Sequence, residues 1–159
     1  MSESLLTELQ QTLERDIPIC ALMGIRVEGH DERGLRFVAP LEKNLNHQQT
    51  AFAGTLSTLC TITGWGAVFL LTRAQNRPPN IVIRRSTIKY LKPVTAGQIV
   101  ACCREPDPVQ KAHFDEMLQG KGQSKIDLHV EIRSGDELAV SFHGSYVVLE
   151  AGALNCNFV

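Results

Sequence analysis

From Asn44 to Thr72 the chain carries no Asp, Glu, Lys or Arg. A stretch that long without charge is either a membrane span or a helix enclosed by the rest of the molecule, because a surface helix keeps a charged face. Length permits a span, which needs about 20 predominantly apolar residues. Composition argues against one. Thr55, Ser57, Thr58, Thr61, Thr63 and Thr72 interrupt the segment, as do glycines at 54, 64 and 66, and the longest apolar run is Ala67–Leu71. The pattern predicts a buried core helix from about Ala51 to Ala74, roughly 36 Å long at about 1.5 Å per residue. A curved sheet wrapped around it is one way for a small domain to hide such a rod.

The flanking segments supply that sheet. Residues 2–16 predict an amphipathic helix, with Leu5, Leu6, Leu9 and Leu13 on one stripe and Pro18 as a stop. Ile25–His30 and Leu35–Leu41 flank a turn at Asp31–Gly34, which is a hairpin signature. After the breaker Asn76–Pro79, Asn80–Leu91 is strongly β-prone; Pro93 closes it and Gly97 opens Gln98–Arg104. Asp107-Pro108 has the form of an N-cap and first-turn proline for a short helix through Leu118. In Ile126–Ile132, Ile126, Leu128, Val130 and Ile132 alternate with Asp127, His129 and Glu131. In Leu138–Leu149, Val140, Phe142, Tyr146 and Val148 oppose Ser141, His143 and Ser145. Such alternation gives each strand one buried and one wetter face. Helix, two strands, long helix, then about four strands, with no repeat or linker, predicts the α+β class and a single domain over 1–159.

The net charge of -1 and the lack of a Lys/Arg block exclude nucleic acid as the expected partner. The N-terminus is acidic and amphipathic, unlike a secretory signal. Cysteines at 20, 60, 102, 103 and 156 are odd in number and show no CxxC spacing. They read as free thiols in a reducing cytoplasm, with no disulfide framework, no zinc site and no cofactor implied.

Two motifs carry a resemblance. Ile88-Lys89-Tyr90-Leu91-Lys92-Pro93-Val94-Thr95-Ala96-Gly97 resembles the strand after the central helix of the hotdog fold, in which an antiparallel sheet of five or six strands wraps one long helix. Asn46-His47-Gln48-Gln49-Thr50-Ala51-Phe52-Ala53-Gly54-Thr55-Leu56, with Thr63-Gly64-Trp65-Gly66 downstream, is similar to the thioesterase domain of the YiiD C-terminal type, over residues 5–150. The resemblance implies a stand-alone thioesterase unit acting on acyl-CoA or acyl carrier protein in fatty-acid metabolism. It also implies a homodimer or dimer of dimers with sites between subunits. Related phenylacetyl-CoA-type thioesterases carry Asn-x-x-Gly-x-x-His-Gly-Gly here, with an Asp nine residues after the His. Asn46 matches the Asn, Phe52-Ala53-Gly54 replace His-Gly-Gly, and Thr61 stands in place of the acid. No Asp or Glu lies on the helix to activate water.

The start of a helix has backbone N–H groups without partners and a partial positive charge. With Thr50 near the cap, the amides of Phe52, Ala53 and Gly54 would polarise a thioester carbonyl, and small side chains at 51, 53 and 54 would let the acyl group approach. Thr50, Phe52 and Thr55 are then candidate substrate contacts. His47 could act as general base and Asn46 could orient water or the thioester oxygen. The plainer alternative is that both only brace the loop. Arg84, Arg85, Lys89 and Lys92 could meet the phosphates of coenzyme A or an acidic carrier protein, or form a solvated strand edge. Asp127, His129 and His143 are better explained by an outer sheet face or a subunit interface than by a metal. Ser57 and Thr58 suit bonds to helix carbonyls more than nucleophilic roles. Trp65, Phe69, Cys102 and Cys103 read as packing. A non-catalytic acyl-binding or partner module is the competing function, favoured by the missing carboxylate.

Overall fold

The structure, a computed structural model, describes residues 3–95 and 97–149. Ser2, Ala96 and Cys156, which enter the sequence expectations, lie outside the described residues. The uncharged stretch forms one helix, α3 (Ala53–Arg73), with 13 of its 21 residues buried, from Thr55 to Thr72. Its start and end fall two residues and one residue inside the expected limits. By length and hydropathy α3 could cross a membrane, but it is the core helix of this fold. The hydroxyls of Thr58, Thr63 and Thr72 bond back to the carbonyls of Gly54, Leu59 and Val68, so the helix hides them without outside partners.

Ahead of α3 come α1 (Glu3–Asp16), α2 (Pro18–Met23), β1 (Arg26–Asp31) and β2 (Gly34–Pro40). After it come β3 (Ile81–Tyr90), β4 (Gln98–Cys103), α4 (Pro108–Lys121), β5 (Ser124–Ser134) and β6 (Glu137–Val148). Pro18 does more than stop α1. It occupies the first turn of α2, a short helix the sequence does not announce. Asp107 caps α4, accepting from Val109 N at 2.9 Å and Gln110 N at 3.3 Å. The β1–β2 turn needs its glycine: Gly34 has φ 110°, and a Cβ there would lie 2.0 Å from the Cys103 carbonyl oxygen.

The six strands form one antiparallel sheet in the order β1-β2-β4-β5-β6-β3. Its inner face places Leu35, Phe37, Ile99, Ala101, Ile126, Leu128, Val130, Ile132, Phe142 and Tyr146 in one core with Leu59, Cys60, Phe69 and Leu70 of α3. α1 closes the core beside β1. Leu9 and Leu13 are fully buried, each worth about 1.5–3 kcal/mol. Arg73 of α3 pairs with Glu8 at 2.8 Å, and Gln10 accepts from Val27 N at 2.8 Å. Cys20, Cys60, Cys102 and Cys103 are free thiols. Burial pushes the Cys60 thiol up to about 12.

Gly64 explains why small residues recur along α3. A Cβ there would stand 2.3 Å from Tyr146 Oη. That hydroxyl donates to the Thr61 carbonyl at 2.9 Å. Gly64→Ala therefore gains about 1 kcal/mol of helix propensity but loses about 1–3 to overpacking and about 1 from the hydrogen bond. The expected net loss is about 1–3 kcal/mol, read as a fall of about 2–12 °C in Tm. An unchanged melt would show that the Tyr146 ring gives way freely.

Candidate active site

The chain enters α3 through a closed loop. Leu45 and Ala51 form an isolated bridge, and Phe52 N donates to Asn44 O at 2.8 Å. Asn46 N donates to Thr50 O at 2.8 Å, and Ala51 N ties the loop to Val94 O at 2.9 Å. Asn46 holds the interior: Nδ2 donates to Thr50 Oγ1 at 2.9 Å, and Oδ1 accepts from Gln48 N at 2.8 Å and Thr50 N at 3.2 Å. Asn46 thus braces the loop from inside, with Nδ2 also 3.5 Å from Ala51 O. Thr50 is engaged by the same bonds and does not cap the helix. His47 is exposed at the loop tip, with no hydrogen-bond partner among the described residues. Gln49 has φ 61°, a left-handed conformation. The glycine of the Asn-x-x-Gly-x-x pattern would adopt it more readily.

The N-cap is Phe52, with φ -65° and ψ 131° and no side-chain cap bond. The open set of amides is thus shifted by one residue from expectation. Phe52 N is taken by Asn44 O and Leu56 N by Phe52 O, at 3.1 Å for the latter. This leaves the N–H groups of Ala53, Gly54 and Thr55 with no acceptor among the described residues. No acidic residue lies in the first turn, so the positive end of α3 has no carboxylate of its own. Ala53 is exposed and Gly54 half-buried.

Gly54 has a different neighbour from the one the sequence suggests. A Cβ on it would meet Cε1 of Phe52 at 2.3 Å, so the cap residue's own ring lies over this glycine. Phe52 itself is 54% exposed. Thr55, itself buried, turns its hydroxyl inward to Asn44 Oδ1 at 3.0 Å. Tyr90 Oη, at the end of β3, donates to Ala53 O at 3.3 Å, which brings the sheet edge to the helix start. Thr61 lies on the same helix side as Gly54 but about 10 Å further along, at about 1.5 Å per residue, so the two do not meet at one atom of this chain.

Asn44 is the residue that sequence reasoning missed. It is 4% exposed. Its Nδ2 donates to Met23 O at 2.9 Å and Pro40 O at 2.7 Å, while Oδ1 accepts from Thr55. One side chain thus joins the end of α2, the end of β2 and the first turn of α3. The available signal was its position as the first residue of the uncharged stretch.

Arg84, Arg85 and Lys89 sit on β3, and none takes part in an ion pair among the described residues. Lys92 pairs with Glu137. His129 and His143 stack with ring centroids 4.3 Å apart and 18° between planes. Among the described residues no three His, Cys, Asp or Glu side chains gather as a metal set.

A curved six-stranded sheet around a long buried helix is the hotdog architecture of the thioesterase superfamily. The chain belongs to the family described as "Putative thioesterase (yiiD_Cterm)", whose profile matches residues 6–150. It is similar to a protein of unknown function from Chlorobaculum tepidum TLS, at 32% identity and TM-score 0.87 over 94% of this chain and 96% of that one. It is also similar to a "putative thioesterase" from Shewanella oneidensis, at 32% identity and TM-score 0.83 over 93% and 99%. A thioesterase from Haemophilus influenzae shares the fold at 14% identity, with TM-score 0.69 over 95% and 94%.

Proposed function

We propose that this chain hydrolyses acyl thioesters of coenzyme A or acyl carrier protein in the cytoplasm. The observation that carries the reading is the trio of unengaged amides at Ala53, Gly54 and Thr55, on a helix end with no carboxylate of its own. A thioester carbonyl accepts from these donors. As water adds to its carbon, the oxygen becomes an oxyanion and the bonds strengthen. The carbon–sulfur bond then breaks, leaving a carboxylic acid and a free thiol. His47 is the base of this reading: it takes the proton of the attacking water and returns one to the departing sulfur. Asn46 holds the loop that carries His47.

The free edge of β3 supports a homodimer or a dimer of dimers. It is an outer strand of the sheet, and Ile83, Tyr90 and the following Leu91 are 38%, 48% and 51% exposed. A partner there would stand beside the helix start that Tyr90 touches, and would place groups on the open side of α3, where Thr61 lies.

Acyl-CoA and acyl carrier protein thioesters of graded length, assayed for released thiol, test the reading. Wild type is expected to turn over, and His47→Ala to lose about 10²-fold in kcat. Sedimentation of the same sample is expected to give the mass of two or four chains. Undiminished turnover in His47→Ala removes the base assignment. The absence of a helix carboxylate favours the second reading, a non-catalytic acyl-binding module. Tight thioester binding without thiol release would select it.

A further inference from the structure

The sheet face turned away from α3 carries a polar ladder that hydrolysis does not use. Register sets Arg85 of β3 opposite Ser145 of β6, and Ser145 opposite Asp127 of β5. In the next row Thr87 lies opposite His143, and His143 opposite His129. Arg85, Thr87, His143, Ser145 and Asp127 line a depression of about 440 Å³.

Two features of this depression point to a missing partner. Ser145 is 5% exposed, yet its hydroxyl has no hydrogen-bond partner. Buried hydroxyls ordinarily find one. Arg85 is the guanidinium of the depression and pairs with no carboxylate among the described residues, although Asp127 lines the same space. Asp127 stands instead 3.7 Å from Lys125 Nζ. The remaining ring is placed by its neighbour. His129 bonds Ser141 Oγ at 3.0 Å and stacks on His143, leaving His143 to face the depression. Burial, then the adjacent His143, holds His129 below the usual imidazole range.

A guanidinium, two hydroxyls and an imidazole converging on one space make a donor set for a tetrahedral oxyanion. We propose that this depression binds a phosphate group, with Arg85 and Ser145 as principal donors and Thr87 and His143 completing the set. Asp127, which lines the same depression beside Lys125, would accept from a hydroxyl next to that phosphate, as on a ribose phosphate. The phosphate can come from the nucleotide end of coenzyme A or from free inorganic phosphate. The site does not depend on the hydrolase reading, because it lies on the opposite sheet face from the amides of α3.

Calorimetric titration with adenosine 3′,5′-bisphosphate and, separately, with inorganic phosphate tests it without any thioester. Wild type is expected to bind, and Arg85→Gln to bind about tenfold more weakly or worse. Ser145→Ala should also weaken binding while melting no lower than wild type, since it deletes an unsatisfied hydroxyl. Arg104→Gln, elsewhere on the surface, serves as the control and should bind normally. Bisphosphate binding well above that of inorganic phosphate assigns the site to the carrier nucleotide; equal affinities assign it to free phosphate. No heat from either ligand at millimolar concentration, or an Arg85→Gln isotherm matching wild type, overturns the proposal. Such a failure would leave thiol release in the hydrolysis assay untouched.

Discussion

Ala53→Pro is expected to fold as well as wild type and to lose about 10²–10³-fold in kcat, or about 2.7–4 kcal/mol of transition-state stabilisation. Proline suits this position for two reasons. Ala53 is the first helical residue, where proline's fixed φ fits and the N–H has no helix partner. Phe52 before it is extended, with ψ 131°, as a residue preceding proline must be. The substitution therefore deletes one hydrogen-bond donor with little other disturbance, and stiffening the unfolded chain adds up to about 1 kcal/mol of stability. A melt at or above the wild-type temperature together with collapsed turnover is the expected pair of results. Full turnover in a folded variant would show that the Ala53 amide does not touch the reacting oxygen.

Asn44→Ala is expected to cost about 3 kcal/mol of stability, measured by urea unfolding. It strands two carbonyls, Met23 O and Pro40 O, and the Thr55 hydroxyl. Asn44→Asp should be at least as damaging. Its carboxylate could still accept from Thr55, but would face two carbonyl oxygens where an NH₂ now donates. Retention of wild-type stability by the aspartate variant would mean that the three segments do not depend on this amide. Both variants should also lose activity, because the first turn of α3 loses its anchor.

The fold was legible because its signals are collective. The charge-free stretch, broken by threonines and glycines, points to an enclosed helix, and the alternation along β5 and β6 leaves one choice of inner face. The candidate site was less legible because it depends on single hydrogen bonds. Nothing in Thr50-Ala51-Phe52 says which residue caps the helix. The choice falls to Phe52 because Asn44 O captures its amide and Asn46 occupies Thr50. Gly54 was ambiguous for a related reason: glycine reports that something comes close, and here the Phe52 ring does. Asn44 was overlooked because a buried asparagine has no periodic signature. The Ser145 pocket could not be seen either, since it requires the β3–β6 register, including the irregularity between Ile83 and Arg85.

The unguarded helix start has an awkward side for a hydrolase. Breaking a thioester leaves a carboxylate, and nothing in the first turn of α3 repels a negative charge. If this chain hydrolyses thioesters as proposed, the donors that assist the reaction would also retain its acid, so the free acid should compete with fresh ester and departure should slow the cycle. A carboxylate set nearby would speed clearance but weaken the grip on the oxyanion. This chain, bare of acid along the whole rod, sits at the clinging end of that compromise.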